Sequence, residues 1–153
     1  MRNGNEWPQS TKPYRTNPPD GTVGLVIPMR DNLKFFKLCY HSILDFTDYR
    51  YMLTIVDNMS TFTTRQYLDS IRRNHNVNIL SYQKDHNPVE EIRLAMQFMF
   101  SFDSVKYGCV VSPFTVVEPN WLSRMVHALN ASQMDALEPI FAPNGQESKP
   151  ILL

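Results

Sequence analysis

Glycine is scarce in this chain: only five of its 153 residues are glycine. Neither a GxxxxGK[ST] loop nor a GxGxxG turn occurs. Both devices need glycine, because the backbone must approach the bound phosphates closely. A GxSxG elbow is missing as well. The sequence therefore disfavours a P-loop NTPase, an ordinary dinucleotide-binding domain and a serine hydrolase.

Cysteine and histidine are too few and too scattered for a structural zinc site. Cys39 and Cys109 are far apart, no CxxC pair occurs, and the four histidines form no cluster. Both cysteines lie within apolar patterns, so we predict that they are buried free thiols.

Net charge and long apolar runs are missing too. Fifteen basic and fifteen acidic residues cancel, and the sequence pI is 6.9, so no global field attracts nucleic acid or an anionic membrane. No apolar run approaches the roughly 20 residues that cross a bilayer, and no apolar signal segment opens the chain. We expect a cytoplasmic protein with no nucleic-acid partner and no membrane span.

The chain divides into three parts by composition. Residues 1–21 contain four prolines among polar side chains and show no period, which predicts an extended or disordered arm. Residues 22–142 are predicted to form one folded domain, and 143–153 a tail. With 42% hydrophobic residues, the chain can bury one sizeable core.

Short apolar runs alternate with helical patterns from residue 22 onward. Strands are predicted at 23–27, 51–56, 77–82 and 107–111, with a fifth at 136–141. We expect Asp31 to cap the first helix and Ser60 or Thr61 the second. Pro88 and Pro119 are predicted to begin the third and fourth helices. Apolar residues spaced at helical intervals define the predicted inner face of the third helix: Val89, Ile92, Met96 and Met99. Such alternation is typical of right-handed crossovers and a mostly parallel, three-layer α/β sandwich.

Polar residues follow the first two strands directly. Asp57 and Asn58 offer acceptors for the ring N–H of a nucleobase at the carboxyl end of a strand, where open parallel sheets bind ligands. The alternative is that they form a turn and cap the next helix. Arg30 offers a group that stacks on a base or pairs with a phosphate, and its alternative is a solvated surface arginine.

Three motifs in order give the chain a family resemblance. A strand with a Pro-x-x-Asn-like turn is followed by a strand ending in Val-Asp-Asn-x-Ser, and then by a strand leading to Glu-Pro-Asn-Trp-Leu at a helix start. They lie at 26–32, 56–60 and 110–122. In this order the chain resembles the N-terminal half of family 2 glycosyltransferases of the GT-A fold.

The resemblance implies a GT-A-like (Rossmann-like) domain that binds a nucleoside diphosphate sugar and transfers the sugar to a hydroxyl acceptor. It places Pro28, Arg30, Asp57 and Asn58 in the nucleotide pocket. Two further residues are additional candidates for the pocket. Asn87 follows the third predicted strand, and Ser112 follows the fourth.

The chain departs from the family pattern in two places. The family carries a carboxylate for Mg²⁺ or Mn²⁺ after the fourth strand, whereas Phe114 occupies the expected position here, and phenylalanine cannot ligate a hard cation. We therefore predict no metal ligand. The family's catalytic base lies in an acceptor-binding half that we expect to be missing, so no catalytic residue is assigned and the domain is expected to be truncated.

Two other readings remain open. The first is a non-catalytic pseudo-glycosyltransferase that serves as a nucleotide-binding or protein-interaction module, with a partner chain covering the incomplete sheet as a further candidate. The second is an unrelated doubly wound domain with another ligand, because fold and function separate easily.

Overall fold

The computed structural model describes residues 21–133 apart from 75 and 86, together with 135, 138–139 and 150–151. Residues 1–20 of the predicted arm and most of the predicted tail lie outside this set. The main elements follow in chain order: β1 (Thr22–Met29), α1 (Leu33–Phe46), β2 (Tyr51–Asn58), α2 (Phe62–Ile71), β3 (Val77–Tyr82), α3 (Pro88–Phe100), β4 (Val105–Val110) and α4 (Trp121–Ser132).

The main sheet has four parallel strands in the order β3-β2-β1-β4. β1 and β2 lie at its centre and are buried along nearly their whole length, which explains why their sequences are continuous apolar runs rather than alternating ones. The predicted α/β architecture with a parallel sheet is confirmed.

Helices cover both faces of the sheet, which gives three layers. Leu25 and Ile27 of β1 belong to the larger core cluster with side chains of α1, α2 and α4, whereas Val26 packs with Ala95 and Met99 of α3. Successive strand residues point to opposite faces, so one short run supplies both cores. Within the described part of the chain, no helix is long and apolar enough to cross a membrane.

The inner face of α3 overlaps with the predicted one. Met99 is buried and Met96 packs against the same core cluster, as predicted, but Val89 does not. The buried residues of α3 are Glu91, Ala95 and Met99, at intervals of four, whereas Val89 is 74% exposed. The side of α3 with the small Ala95 faces the sheet, because α3 approaches Gly24 of β1 closely. A Cβ added to Gly24 would lie 2.9 Å from the terminal methyl carbon of Met99, so α3 packs almost directly on the backbone of β1.

The predicted fifth strand does not extend the parallel sheet. Within 136–141, the described residues Glu138–Pro139 form β5, which pairs antiparallel with β6 at Pro150–Ile151. This pair is a separate two-stranded sheet.

Replacing Leu25, which is fully buried in the larger core cluster, should destabilise the fold strongly. We expect Leu25→Ala to lower the free energy of unfolding by about 2 to 5 kcal/mol, because the change removes buried methyl groups and leaves a cavity. Leu38→Ala is the matched control, since Leu38 is 53% exposed, and should cost less than about 0.5 kcal/mol. Urea unfolding of both variants measures this, and equal losses would contradict the assignment of the core.

Candidate functional site

At the carboxyl edge of the sheet, the loops that follow β2 and β3 run toward opposite faces of the sheet. β1 and β2 lead into α1 and α2 on one face, whereas β3 leads into α3 on the other. Loops that leave neighbouring parallel strands toward opposite faces open a crevice outside the strand ends, which is the usual ligand position in such sheets. The residues that follow β1, β2 and β3 therefore surround the candidate site.

The Asp31 carboxylate joins the β1–α1 loop to the start of α2. Its Oδ1 accepts hydrogen bonds from Thr61 N at 2.8 Å, Thr61 Oγ1 at 2.7 Å and Thr64 Oγ1 at 3.1 Å. The hydrogen bonds from Thr61 are the main cause that lowers the pKa of Asp31 below its ordinary value. A carboxylate is also favoured at this position because the first turn of a helix exposes unpaired N–H groups.

The capping prediction for α1 is wrong, and the one for α2 is correct in position only. Asn32, not Asp31, is the N-cap residue of α1, and its side chain makes no capping hydrogen bond. Thr61 is the N-cap of α2, as one alternative predicted, but its own side chain makes no capping bond either. Asp31 supplies that cap from a different loop, a long-range pairing that local sequence patterns do not reveal.

The backbone around this junction is held in the left-handed region. Asp31 and Asn32 both have φ of 55°, and Met59 has φ of 56°. Such angles are uncommon for residues other than glycine, and Met59 lacks the short polar side chain that favours them. The Asp31 N–H also donates to Ser60 Oγ at 2.8 Å, so hydrogen bonds between the two loops hold the strained backbone in place.

Asp57 and Asn58 point away from each other, as successive residues of a strand must. Asp57 is 1% exposed, and its Oδ1 accepts a hydrogen bond from Ser60 N at 3.0 Å. Asp57 thus stabilises a turn, which was the alternative to base binding in the sequence analysis. It also lines a cleft of about 210 Å³ between α2 and the end of β3. The other lining residues come from α2 and from the end of β3: Arg65, Leu68, Asp69, Arg72, Ser81 and Gln83.

Asp85 connects Arg30 and Asn58, two of the predicted pocket residues. Its Oδ1 lies 3.4 Å from Arg30 Nη1 and 3.5 Å from Asn58 Nδ2. The three side chains come from the exits of β1, β2 and β3, so this cluster spans the crevice. The sequence analysis missed Asp85, although its position directly behind a predicted strand was a usable signal. Arg30 and Asp85 both remain largely exposed, and ion pairs of this kind are weak and easily exchanged.

The remaining predicted residues have mainly local contacts. Pro28 is half-buried in β1 opposite Val56 of β2. Asn87 is the N-cap of α3, and its Oδ1 accepts from Val89 N at 2.9 Å. Ser112 Oγ accepts from Phe114 N at 3.3 Å in the turn after β4. The structure therefore brings Arg30 and Asn58 together through Asp85, while Asn87 and Ser112 are engaged in a cap and a turn.

The exit of β4 does not fit a divalent cation. Phe114 packs against Phe35 with ring centroids 5.4 Å apart, and the segment 112–115 has no carboxylate. Mg²⁺ and Mn²⁺ require oxygen ligands, usually including carboxylates. Among the described residues, no group of three or more histidine, cysteine or acidic side chains is arranged to hold a metal ion.

Neither cysteine is suited to nucleophilic chemistry. Cys39 and Cys109 are free thiols, and burial raises the pKa of each to about 11. A thiol with such a pKa is almost entirely protonated at neutral pH.

Comparison with known proteins gives the fold. No family model matches the chain, and no curated protein matches it. The chain is similar to the solved structure of S. aureus TarS 1-349, with a TM-score of 0.60 and 14% identity. It is also similar to the mannosyltransferase PcManGT from Pyrobaculum calidifontis, solved with GDP-Man and Mn²⁺, with a TM-score of 0.62 and 15% identity. TarS 1-349 in complex with UDP-GlcNAc gives a TM-score of 0.61 at 13% identity.

These neighbours are glycosyltransferases, so the chain has a GT-A-like fold. The alignments cover 73%, 78% and 82% of this chain but only 33%, 36% and 36% of the neighbours. The chain thus spans about a third of their length. At such low identity the likeness establishes the fold and leaves the activity to be argued from the site.

Removing the Asp31 carboxylate should weaken the fold and flatten its acid dependence. We expect Asp31→Asn to cost about 1 kcal/mol at neutral pH, the size of a helix cap. Because the folded-state pKa is lowered, the contribution is fully present above the ordinary pKa of about 3.9 and is lost as pH falls through the folded value. Urea unfolding at pH 7 and pH 3 tests this. Equal losses at both pH values would contradict the role. Asp45→Asn, at an exposed position of α1, is the control.

Proposed function

We propose that this chain binds a nucleoside diphosphate sugar at the carboxyl edge of the sheet, as the donor-binding part of a glycosyltransferase-like protein. The observation that carries the proposal is the cluster in which Asp85 contacts both Arg30 and Asn58 across three consecutive strand exits. It lies where the loops diverge toward opposite faces, and this is the position at which parallel sheets hold nucleotides.

The cleft beside α2 suits the nucleobase. It is lined by the Asp57 carboxylate, which can accept from a ring N–H, and by Arg65 and Gln83, which can donate to ring carbonyl groups. Asp57 is nearly inaccessible in the unliganded chain, so contact between Asp57 and the base requires side chains around the cleft to move. Leu68 supplies an apolar surface in the same cleft.

The Arg30–Asp85 cluster suits the ribose and the diphosphate. A carboxylate at a strand exit accepts hydrogen bonds from ribose hydroxyls in other nucleotide-binding sheets, and Asp85 offers a carboxylate after β3. A diphosphate would compete with Asp85 for the Arg30 guanidinium, whose planar fork matches phosphate oxygens. Because the existing ion pair is exposed and weak, this exchange costs little, and Asp85 keeps its contact with Asn58.

Transfer of the sugar to a hydroxyl needs a general base and stabilisation of the leaving diphosphate. Arg30 supplies positive charge for the second task. The segment after β4 does not fit the Mg²⁺ or Mn²⁺ that the family resemblance implies, although the neighbour PcManGT was solved with Mn²⁺. A non-catalytic nucleotide-binding module is therefore the second candidate, favoured by Phe114 at the β4 exit.

Nucleotide titration tests the proposed site. We expect UDP or GDP to bind the wild-type chain and Arg30→Ala to weaken that binding about tenfold, because a charge-assisted contact to the diphosphate is lost. Asn58→Ala should weaken it as well, since Asn58 lies beside Asp85. Arg124→Ala, which changes an exposed arginine on α4, is the control and should bind normally. Calorimetry measures each affinity, and no binding of either nucleotide would remove the proposal.

Divalent cations distinguish the two candidate functions. If the chain binds donor without a cation, the affinity for UDP-GlcNAc should be the same in EDTA and in Mn²⁺. An affinity that rises in Mn²⁺, together with hydrolysis of the donor, would favour an enzyme that recruits its metal with residues outside the segment 112–115.

A further inference from the structure

The outer edge of β4 carries backbone groups that the sheet does not use. β4 is the last strand in the order β3-β2-β1-β4, with β1 as its neighbour. Val111 N donates to Val26 O of β1, so the peptide groups of Gly108 and Val110 face the other way, out of the sheet. Within the ranges that the structure describes, no backbone hydrogen bond reaches these outward groups. Their chemistry matches the backbone of another extended strand.

An apolar groove of about 290 Å³ lies at the same edge, between α3 and α4. Met96 and Phe100 of α3 lie directly over Gly108: a Cβ added there would be 2.8 Å from Met96 Sδ and 3.1 Å from Phe100 Cζ. Val110 points to this same face of the sheet, because it is two residues further along the strand. Phe100 is 50% exposed and Val110 is 47% exposed, so folding of one chain leaves much of this apolar surface in water.

We propose that β4 pairs antiparallel with β4 of a second copy of this chain, about a two-fold axis at Cys109. Gly108 of each copy then lies opposite Val110 of the other, and each of these pairs exchanges both of its N–H···O bonds. The two outward-facing residues flank Cys109 symmetrically, as a two-fold axis requires. Pairing centred nearer the start of β4 would meet the shift in register opposite Thr22 and Val23. The inference goes beyond the nucleotide site and does not depend on it.

The side chains of the two copies complement each other in this register. Gly108 has no side chain, so Val110 of the opposite copy can pack against the exposed part of the Phe100 ring that lies over it. Lys106 of each copy lies near Ser112 of the other, so the two lysines do not face each other. Lys106 and Asp135 both line the groove, and their opposite charges prevent a net repulsion between the copies. A second copy thus supplies both the matching backbone edge and the matching apolar surface.

The mass of the chain in solution tests the second copy. We expect light scattering to show twice the 17.8 kDa of one chain as its concentration rises through the micromolar range. Val110→Lys should weaken the dimer about tenfold, because the ammonium group would lose water beside Phe100 of the other copy. Val89→Lys is the matched control, since Val89 is also exposed but lies at the other end of α3 from Phe100. Circular dichroism checks that both variants fold.

Oxidation of the unaltered chain tests the register. Cα atoms in an antiparallel pair without direct hydrogen bonds are about 4.5 Å apart, a distance that a disulfide spans. Copper phenanthroline, as the oxidant, should therefore join the two Cys109 thiols in a covalent dimer that dithiothreitol reverses. Cys109→Ser should give no such dimer, because the other cysteine, Cys39, is fully buried in the core.

Hydrogen exchange at the Gly108 and Val110 amides shows what covers the edge. Protection that rises with chain concentration would support the second copy. Equal protection at every concentration would show that another segment of the same chain covers the edge, and would overturn the proposal. A chain that stays monomeric at high micromolar concentration, a dimer that Val110→Lys leaves intact, or crosslinking that persists in Cys109→Ser would overturn it as well.

Discussion

The Asp31 carboxylate is the contact on which the geometry of the candidate site depends. One oxygen accepts three hydrogen bonds from Thr61 and Thr64, and the Asp31 N–H bonds to Ser60 in return. These bonds join the exit of β1 to the start of α2. Arg30 directly precedes Asp31, and Asp57 and Asn58 directly precede the loop that contains Ser60. The junction therefore sets the separation between the two groups of side chains that face the crevice.

The sequence predicted the elements well because each is encoded locally. Continuous apolar runs at β1 and β2 require burial on both faces, and Pro88 behind Asn87 is a strong local helix start. The face of α3 was predicted only in part, because its packing depends on Gly24, a residue far away in the chain. Val89 is apolar but exposed, and Glu91 is charged but buried, so hydrophobicity alone identified Met96 and Met99 but not the rest of the face.

The candidate site was predicted only in part for a similar reason. Residues at strand exits can be read from the sequence, and Arg30 and Asn58 do come together. Their meeting point, Asp85, and the long-range cap by Asp31 depend on which strands are neighbours. Strand order is a property of the whole sheet, and no local pattern specifies it. The alternation of side chains along β2 further separates Asp57 from Asn58, which the sequence analysis had grouped.

Chemical-shift mapping of the labelled chain with UDP or GDP tests the central claim most directly, because it locates the ligand without altering any side chain. The account predicts that the largest amide shifts occur at Arg30, Asn58 and Asp85 and in the loops around them, at the carboxyl edge of the sheet. Shifts confined to the opposite edge, around Gly21, Arg50 and Ser104, would contradict it.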